Sequence, residues 1–474
     1  MAQYEYETLR DAASNSRFVS LLPGSGEDAI ELFLLEENLD EMSDLFEALS
    51  YCWGDPTPTH SLLIANWEFK VTENLHSALR RLRFMDRERV LWIDALCINQ
   101  ADANEKSKQV GLMGKIYCLA KRVLLWLGED QIVRNTPIMR QQFGAPEVVG
   151  SMADRIDDMV FQAIIQELAF AKEIMIHCGK FAWSWEGFRN APGVLKKSAG
   201  PYSNFMRFGD FVEKMDEIRD LQPSATDLDF HRLLREFRKS QASDRRDKVY
   251  GLISMSDFKL LRIDYTLGFH EVYFDVLQVL VNEHKSLNFL ADCHAPGLNP
   301  RGMPSWFPNW AADNNGWGDF KVGDPAFRAS FDRKAELRSK LQPPWDDKHH
   351  FIADAALIVH GIKLSTFTER PTTNVDLPFK FGPGEKGQHS DSTNISAEDD
   401  PLWNPSWHNK SIVCIIFGCD VPIGLDAVER KGKLAWRIVG DVFRNVASLE
   451  GYLQGKAVNE IQEGRWREEW FTLV

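Results

Sequence analysis

The sequence predicts an α/β protein built on a mostly parallel sheet, and three observations carry that reading. Apolar runs at 46–52, 90–96, 123–127 and 174–178 are strand-sized, and they end abruptly in polar residues or glycine. Helix-period stripes lie between them, the alternation that gives a sheet covered by helices. The composition, 44% hydrophobic and 26% charged over 474 residues, is that of a globular chain long enough for about two or three domains.

The elements follow in order. Phe46–Cys52 is a compact apolar strand. Leu62–Ile64 and Glu68–Val71 flank Asn66 as a hairpin. Thr72 caps a helix whose stripe is Leu75, Ala78, Leu79 and Leu82. Val90–Leu96 is the second long strand. Asp102-Ala-Asn-Glu105 has the spacing of a capping box, and that position accounts for Glu105; the helix it opens carries Val110, Met113, Tyr117 and Ala120 on one face. Val123–Leu127 is a strand, 128–150 a polar stretch, Met159–Ala171 a helix and Ile174–Cys178 a strand closed by Gly179.

Beyond about residue 188 the pattern loosens. Helical signals occupy Phe205–Lys239, Ala242–Met255 and His270–Glu283, and Met303–Ala312 is a Trp- and Pro-rich packed loop. Phe351–Ile362 reads as a strand and Leu434–Val446 as a strand or hairpin, separated by a long surface loop or insertion over about 366–410. The expectation is an α/β domain over 1–188 and a mainly helical, then mixed α+β companion region over 189–474. No internal repeat is present.

Charge and cysteine usage exclude several classes. With 55 Lys+Arg against 69 Asp+Glu the net charge is −14, which gives no basic field for nucleic acid. No apolar stretch reaches the roughly 18 residues of a membrane span, and the N-terminus lacks the pattern of a signal peptide. Seven scattered cysteines argue against a disulfide framework, with Cys52, Cys97 and Cys178 reading as core residues. A cytoplasmic protein is expected. The string Gly382-Pro-Gly384-Glu-Lys-Gly387 matches G-x-G-x-x-G without its strand-to-helix context, and the histidines, the His349-His350 pair included, show no metal-ligand spacing.

Ligands of a doubly wound sheet bind beyond the carboxyl ends of its strands. Tyr51, Trp53 and Asp55 follow the first strand, Asp94, Asn99 and Gln100 the second, Trp126 and Glu129 the third. Aromatic surface, carboxylates and amides together suit a nucleotide-like ligand; the same residue types also suit plain turns. Glu167 stands in an otherwise apolar helix, either at its water-facing edge or placed at the sheet mouth, where burial raises a carboxyl pKa. Asp244-Arg-Arg-Asp247-Lys248 reads as a salt-bridged helix start.

Three blocks resemble the heterokaryon incompatibility (HET) domain of filamentous fungi: Glu47-Ala-Leu-Ser-Tyr-Cys-Trp-Gly-Asp55, Leu91-Trp-Ile-Asp-Ala-Leu-Cys-Ile-Asn-Gln-Ala-Asp102 continuing to Gly128, and Ile165-Gln-Glu-Leu-Ala169 with Cys178-Gly179 and Trp185-Glu186. Asp244–Leu252, Ile263–Tyr265 and Met303–Trp310 are similar to segments that commonly follow the domain. The sequence departs from the family in one place, where Asp158–Ile165 replaces a Trp-Phe-x-Arg-x-Trp pattern.

The resemblance implies a role in non-self recognition between hyphae with cell death as output, together with an incompatibility partner protein that the sequence does not identify. It also implies a likeness to Toll/interleukin-1 receptor (TIR) domains, hence a TIR/flavodoxin-like sheet and self-association. Some TIR domains hydrolyse the glycosidic bond of NAD with a helix glutamate, whose place Glu167 takes here. NAD then enters as substrate and no cofactor is required; Tyr51, Trp53, Asp55, Asp94, Asn99 and Gln100 become the binding residues. Two other readings stay open, a non-enzymatic interaction module and a protein that binds a small metabolite without turnover.

Overall fold

Strand β3 (Glu47–Tyr51) is an interior strand of the first of two units. Four of its five residues are buried, and it pairs in parallel with β6 (Arg89–Trp92) on one side and β7 (Arg122–Trp126) on the other. Covered on both faces, such a strand reads as one apolar run. The computed structural model describes residues 3–26, 28–53, 57–129, 165–189, 215–220, 229–237, 242, 244–256, 261–293, 302–311, 333–346, 350–352, 355–367, 379–381, 411–441, 456–461 and 467–474. The chain divides into residues 1–230 with 240–268, and residues 231–239 with 269–474.

Among the described residues the first unit has a nine-stranded sheet. From one edge it runs β5 (Trp67–Val71), β4 (His60–Ile64), β2 (Glu31–Asn38), β1 (Asn15–Leu21), β6, β3, β7, β8 (Ile174–Cys178) and β9 (Phe181–Ser184). The sheet is mixed, which corrects the mostly parallel expectation. β6, β3, β7 and β8 are mutually parallel, but β1 lies antiparallel between β2 and β6, and the edge pairs β4–β5 and β8–β9 are antiparallel hairpins.

Polar letters hide β1 from a reading of apolar runs. Ser16, Arg17 and Ser20 interrupt Asn-Ser-Arg-Phe-Val-Ser-Leu, yet all three are buried and each has an internal partner. Ser16 Oγ donates to Gln109 Oε1 at 2.7 Å and accepts from Trp92 Nε1 at 3.0 Å. Ser20 donates to Glu88 at 2.7 Å. Arg17 meets Glu105 through both guanidinium nitrogens at 2.6 and 3.0 Å.

The predicted helix starts hold, with one change of role. Thr72 caps α1 (Glu73–Leu82) by accepting from Leu75 N, and the stripe Leu75, Ala78, Leu79, Leu82 is buried. Asp102 caps α3 (Ala103–Leu119) through Asn104 N and Glu105 N. Glu105 itself does not close a capping box. It turns inward to Arg17 and accepts from Asn99 N at 2.7 Å, so α3 buries Glu105 and Gln109 beside Ile116, Tyr117 and Ala120, while Val110 and Met113 are half-buried.

The second unit contains a closed five-stranded barrel, where the sequence showed a mainly helical and mixed region with two strands. β10 (Leu357–Phe367), β12 (Ser411–Ile416), β13 (Ile423–Arg430) and β14 (Lys433–Asp441) are successive antiparallel neighbours. β15 (Glu468–Leu473) closes the ring, antiparallel to β10 and touching β14 in parallel at Trp436↔Leu473. A short β11 (Phe379–Phe381) extends the far end of β10 from inside the segment expected to be loop. Gly361 pairs with both β12 and β15, and a Cβ there would collide with the Ile415 carbonyl, so the crossing requires glycine.

The Met303–Ala312 region packs as expected, with Trp306, Phe307 and Trp310 all fully buried. Trp310 Nε1 (2.9 Å), His231 Nε2 (2.6 Å) and Arg235 converge on the buried Asp292 carboxylate. Burial pushes that carboxyl up, but His231 and Arg235 outweigh it and hold its pKa at about 2. No helix among the described residues is long and apolar enough to cross a membrane.

The Arg17–Glu105 pair is 4% and 6% exposed. Glu105→Ala leaves a buried guanidinium without its counter-charge, and the expected loss is about 3–5 kcal/mol of unfolding free energy. Denaturant unfolding of the full chain measures it; a loss below about 1 kcal/mol, the scale of a surface pair, contradicts this account.

Candidate active site

The carboxyl ends of β3, β6 and β7 emerge together because the three strands are parallel neighbours. β3 brings Ser50, Tyr51 and, two residues on, Trp53. β6 stops at Trp92, four residues earlier than expected, because the chain turns into the single helical turn α2 (Asp94–Cys97). Asp94 Oδ1 accepts from Ala95 N at 2.7 Å and Cys97 Sγ from Ile93 N at 3.3 Å, which stabilises the turn against continuation of the strand.

Glu167 arrives on the helix Ile165–Phe170, which leads into β8. That helix lies close to α3 because position 114 is glycine: a Cβ there would stand 2.9 Å from Ser254 Cβ and 3.2 Å from the Phe170 ring. With its amide in the orientation that satisfies both ends, Gln166 accepts from Gly114 N at 2.8 Å and donates to Gly251 O at 3.1 Å and Ser254 Oγ at 3.2 Å. The expected residues 159–164 of this helix lie outside the described residues.

Glu167 is 8% exposed, so it does not stand at a water-facing edge of its helix. Ser50 Oγ donates a hydrogen bond to Oε2, and the buried Tyr117 hydroxyl is a second partner. Burial raises its pKa from the usual 4.5 to about 8; the nearby Asp94 charge adds to the shift, and the Ser50 and Tyr117 bonds oppose it. Asp94 is half-buried and its Oδ2 accepts from Trp53 Nε1 at 3.0 Å. Burial lifts it to about 6, against the Ala95 N–H, the Trp53 indole and Lys106. Tyr51 is buried beside both acids, and burial followed by their charges raises its hydroxyl pKa.

The remaining candidates divide. Gln100 Nε2 donates to Asp94 O at 3.1 Å, and Asn99 Oδ1 accepts from Ala101 N at 3.2 Å, so both stand half-buried on the turn that carries Asp94. Asp55 lies outside the described residues. Trp126 Nε1 donates to Asn74 Oδ1 at 2.9 Å, and Asn74 in turn donates to Cys52 O at 2.6 Å, which anchors the chain leading to Trp53. Glu129 is forked to Arg81 at 2.9 and 2.8 Å on the surface.

Residue-by-residue reading missed Ser50, Tyr117 and Asp247. Ser50 and Tyr117 looked like strand and helix filler. Asp244 does pair with Arg246 at 2.6 Å, as a salt-bridged helix start requires. Asp247 instead begins the helix Asp247–Ile253, accepts from Tyr265 Oη at 2.5 Å and is lifted by burial to about 6. Its charge also acts on Asp94. Lys106 Nζ lies 4.2 Å over the Tyr265 ring and offsets both acids. Among the described residues no group of His, Cys, Asp and Glu is arranged to hold a metal ion. None of the seven cysteines is in a disulfide; Cys97 and Cys178 are buried and Cys52 is half-buried.

Residues 46–158 match the heterokaryon incompatibility protein (HET) family. The chain carries a HET domain. Over 94 residues it is 45% identical to heterokaryon incompatibility protein 6, OR allele, of Neurospora crassa, a stretch that covers 17% of this chain and 14% of that protein. The chain thus spans about a seventh of that relative's length. No solved structure matches the chain. Ser50, Tyr51, Trp53, Asp94 and Tyr117 fall within the matched HET stretch, while Glu167 and Asp247 follow it. The departing segment before Ile165 lies outside the described residues.

A carboxyl whose folded pKa is raised keeps a proton that the unfolded chain releases, so stability falls as pH rises between the two values. Glu167 contributes such a fall between about 4.5 and 8, and Asp94 and Asp247 add to its lower half, up to about 6. Thermal unfolding from pH 5 to pH 8 is expected to show a declining midpoint in the native chain and a shallower decline in Glu167→Gln. Parallel declines in the two proteins contradict the assignment.

Proposed function

We propose that the protein acts in fungal heterokaryon incompatibility, as a non-self recognition effector whose TIR-like α/β unit hydrolyses the N-glycosidic bond of NAD. The incompatibility role is supported by the HET match and by the name of the Neurospora crassa relative. The observation that supports the chemistry is the pair of acids at the strand ends with separated pKa values, about 8 for Glu167 and about 6 for Asp94.

In this reading Trp53 and Tyr51 offer ring surface to the ligand, and Asn99, Gln100 and Asp55 hold its ribose and diphosphate. The nicotinamide ring of NAD is cationic, so its approach favours the ionised form of Glu167. The C1′–N bond breaks with its electron pair passing to the ring nitrogen, and neutral nicotinamide leaves. The Glu167 carboxylate stabilises the oxocarbenium-like ribose. Water adds to C1′ and its proton passes to the Asp94 carboxylate, which is mostly ionised at pH 7.

A second reading, a non-enzymatic module that assembles with itself or with a partner, is favoured by the hydrogen bonds that engage Glu167 with Ser50 and Tyr117 inside the core. One experiment separates the two. The purified full chain, concentrated to favour assembly, is incubated with NAD and nicotinamide is followed by chromatography. The enzymatic reading expects release that Glu167→Gln lowers by about 10²–10⁴-fold. Equal release from both proteins removes Glu167 from the chemistry, and no release with concentration-dependent self-association favours the second reading.

A further inference from the structure

Away from that site, the first unit holds a cleft of about 730 Å³ lined by the N-terminal segment Gln3–Glu7, by β2 and by the turn between β4 and β5. Its wall contains an open strand edge. Leu22 N donates to Glu31 O on the β1 side, whereas Ala65 N donates to Leu32 O on the β4 side, so alternate residues of β2 address opposite edges. β1 accompanies β2 as far as Asn38, but β4 pairs with it only at Glu31 and Leu32. Beyond Leu32 the outer edge, with the N–H and C=O of Leu34 and the N–H of Glu36, meets no strand among the described residues. The Glu36 carbonyl is taken by Arg10 at 3.2 Å.

The side chains around that edge combine apolar surface with negative charge. Phe33, Leu35 and Trp67 are 44%, 47% and 49% exposed, a concentration of large apolar groups that a free surface seldom carries. Glu5 and Glu7 stand exposed on the rim. Arg17 also reaches the lining, but its guanidinium is withdrawn onto Glu105 and its side chain is 5% exposed. The cleft therefore offers unpaired strand amides, apolar contacts and uncompensated carboxylates together.

We propose that this cleft binds an extended segment of a partner protein, which adds as a strand to the outer edge of β2. Its basic side chains face Glu5 and Glu7, and its apolar side chains rest on Phe33, Leu35 and Trp67. The site is separate in sequence from Glu167, and the proposal stands whether or not the chain turns over NAD.

Isothermal titration of the full chain with a capped peptide of about ten alternating Lys and Val residues tests it. Saturable binding is expected, with none for the Glu/Val counterpart. Glu5→Lys with Glu7→Lys weakens it about tenfold or more, while the exposed control pair Glu41→Lys with Asp86→Lys changes it less than about twofold. N-methylation of alternate peptide amides also weakens it about tenfold, because a strand edge needs those donors. No saturable binding, equal loss in both charge variants, or indifference to N-methylation overturns the proposal.

Discussion

The site depends on one constraint: β3 is buried between two parallel neighbours. Parallel pairing with β6 and β7 brings three carboxyl ends out at the same edge of the sheet, and the chain has to leave that edge in tight, polar turns. Ser50, the penultimate residue of β3, is buried and offers its hydroxyl to Glu167. The short α2 turn exists because β6 ends under the same geometry, and it fixes Asp94 opposite Trp53.

Burial of these polar groups is sustained by pairing with one another. Arg17 fixes Glu105, Glu105 fixes the backbone of Asn99, and the 98–102 turn that follows Asp94 is held in place from within. Gln109 receives Ser16 and donates to the carbonyls of Ala12 and Asn15, which sets the entry into β1. Asp292 plays a comparable part in the second unit, where two donors from the helix Phe230–Glu236 and one from Trp310 meet on one carboxylate. In each case a charge or amide that is costly to bury becomes a fixed point because it meets an opposite charge or a matching donor or acceptor.

Apolar periodicity made β3, β6, β7, β8, α1 and the β4–β5 hairpin legible, along with the placement of Tyr51, Trp53 and Asp94 at strand ends. It failed where burial is polar. β1 is interrupted by Ser16, Arg17 and Ser20, and the partners that make those residues tolerable lie 68 to 93 positions away. Glu105 satisfied a local rule, the capping box, that a distant arginine overrode. The barrel was obscured for another reason: only Phe351–Ile362 and Leu434–Val446, over β10 and β14, carry a strand signal, and β13 is broken by Gly424 and Asp426. Asp247 was assigned to local salt bridges because its partner, Tyr265, is joined to it only by the fold.

The central claim is that a protonated carboxyl sits beneath the strand ends at neutral pH. Infrared difference spectra of the full chain against Glu167→Gln report it directly through the carbonyl stretch of a neutral acid. The account predicts that band in the native chain at pH 7, absent from the variant and lost as pH rises through about 8. A native chain in which it has vanished by pH 5, as for an ordinary solvated glutamate, contradicts the account.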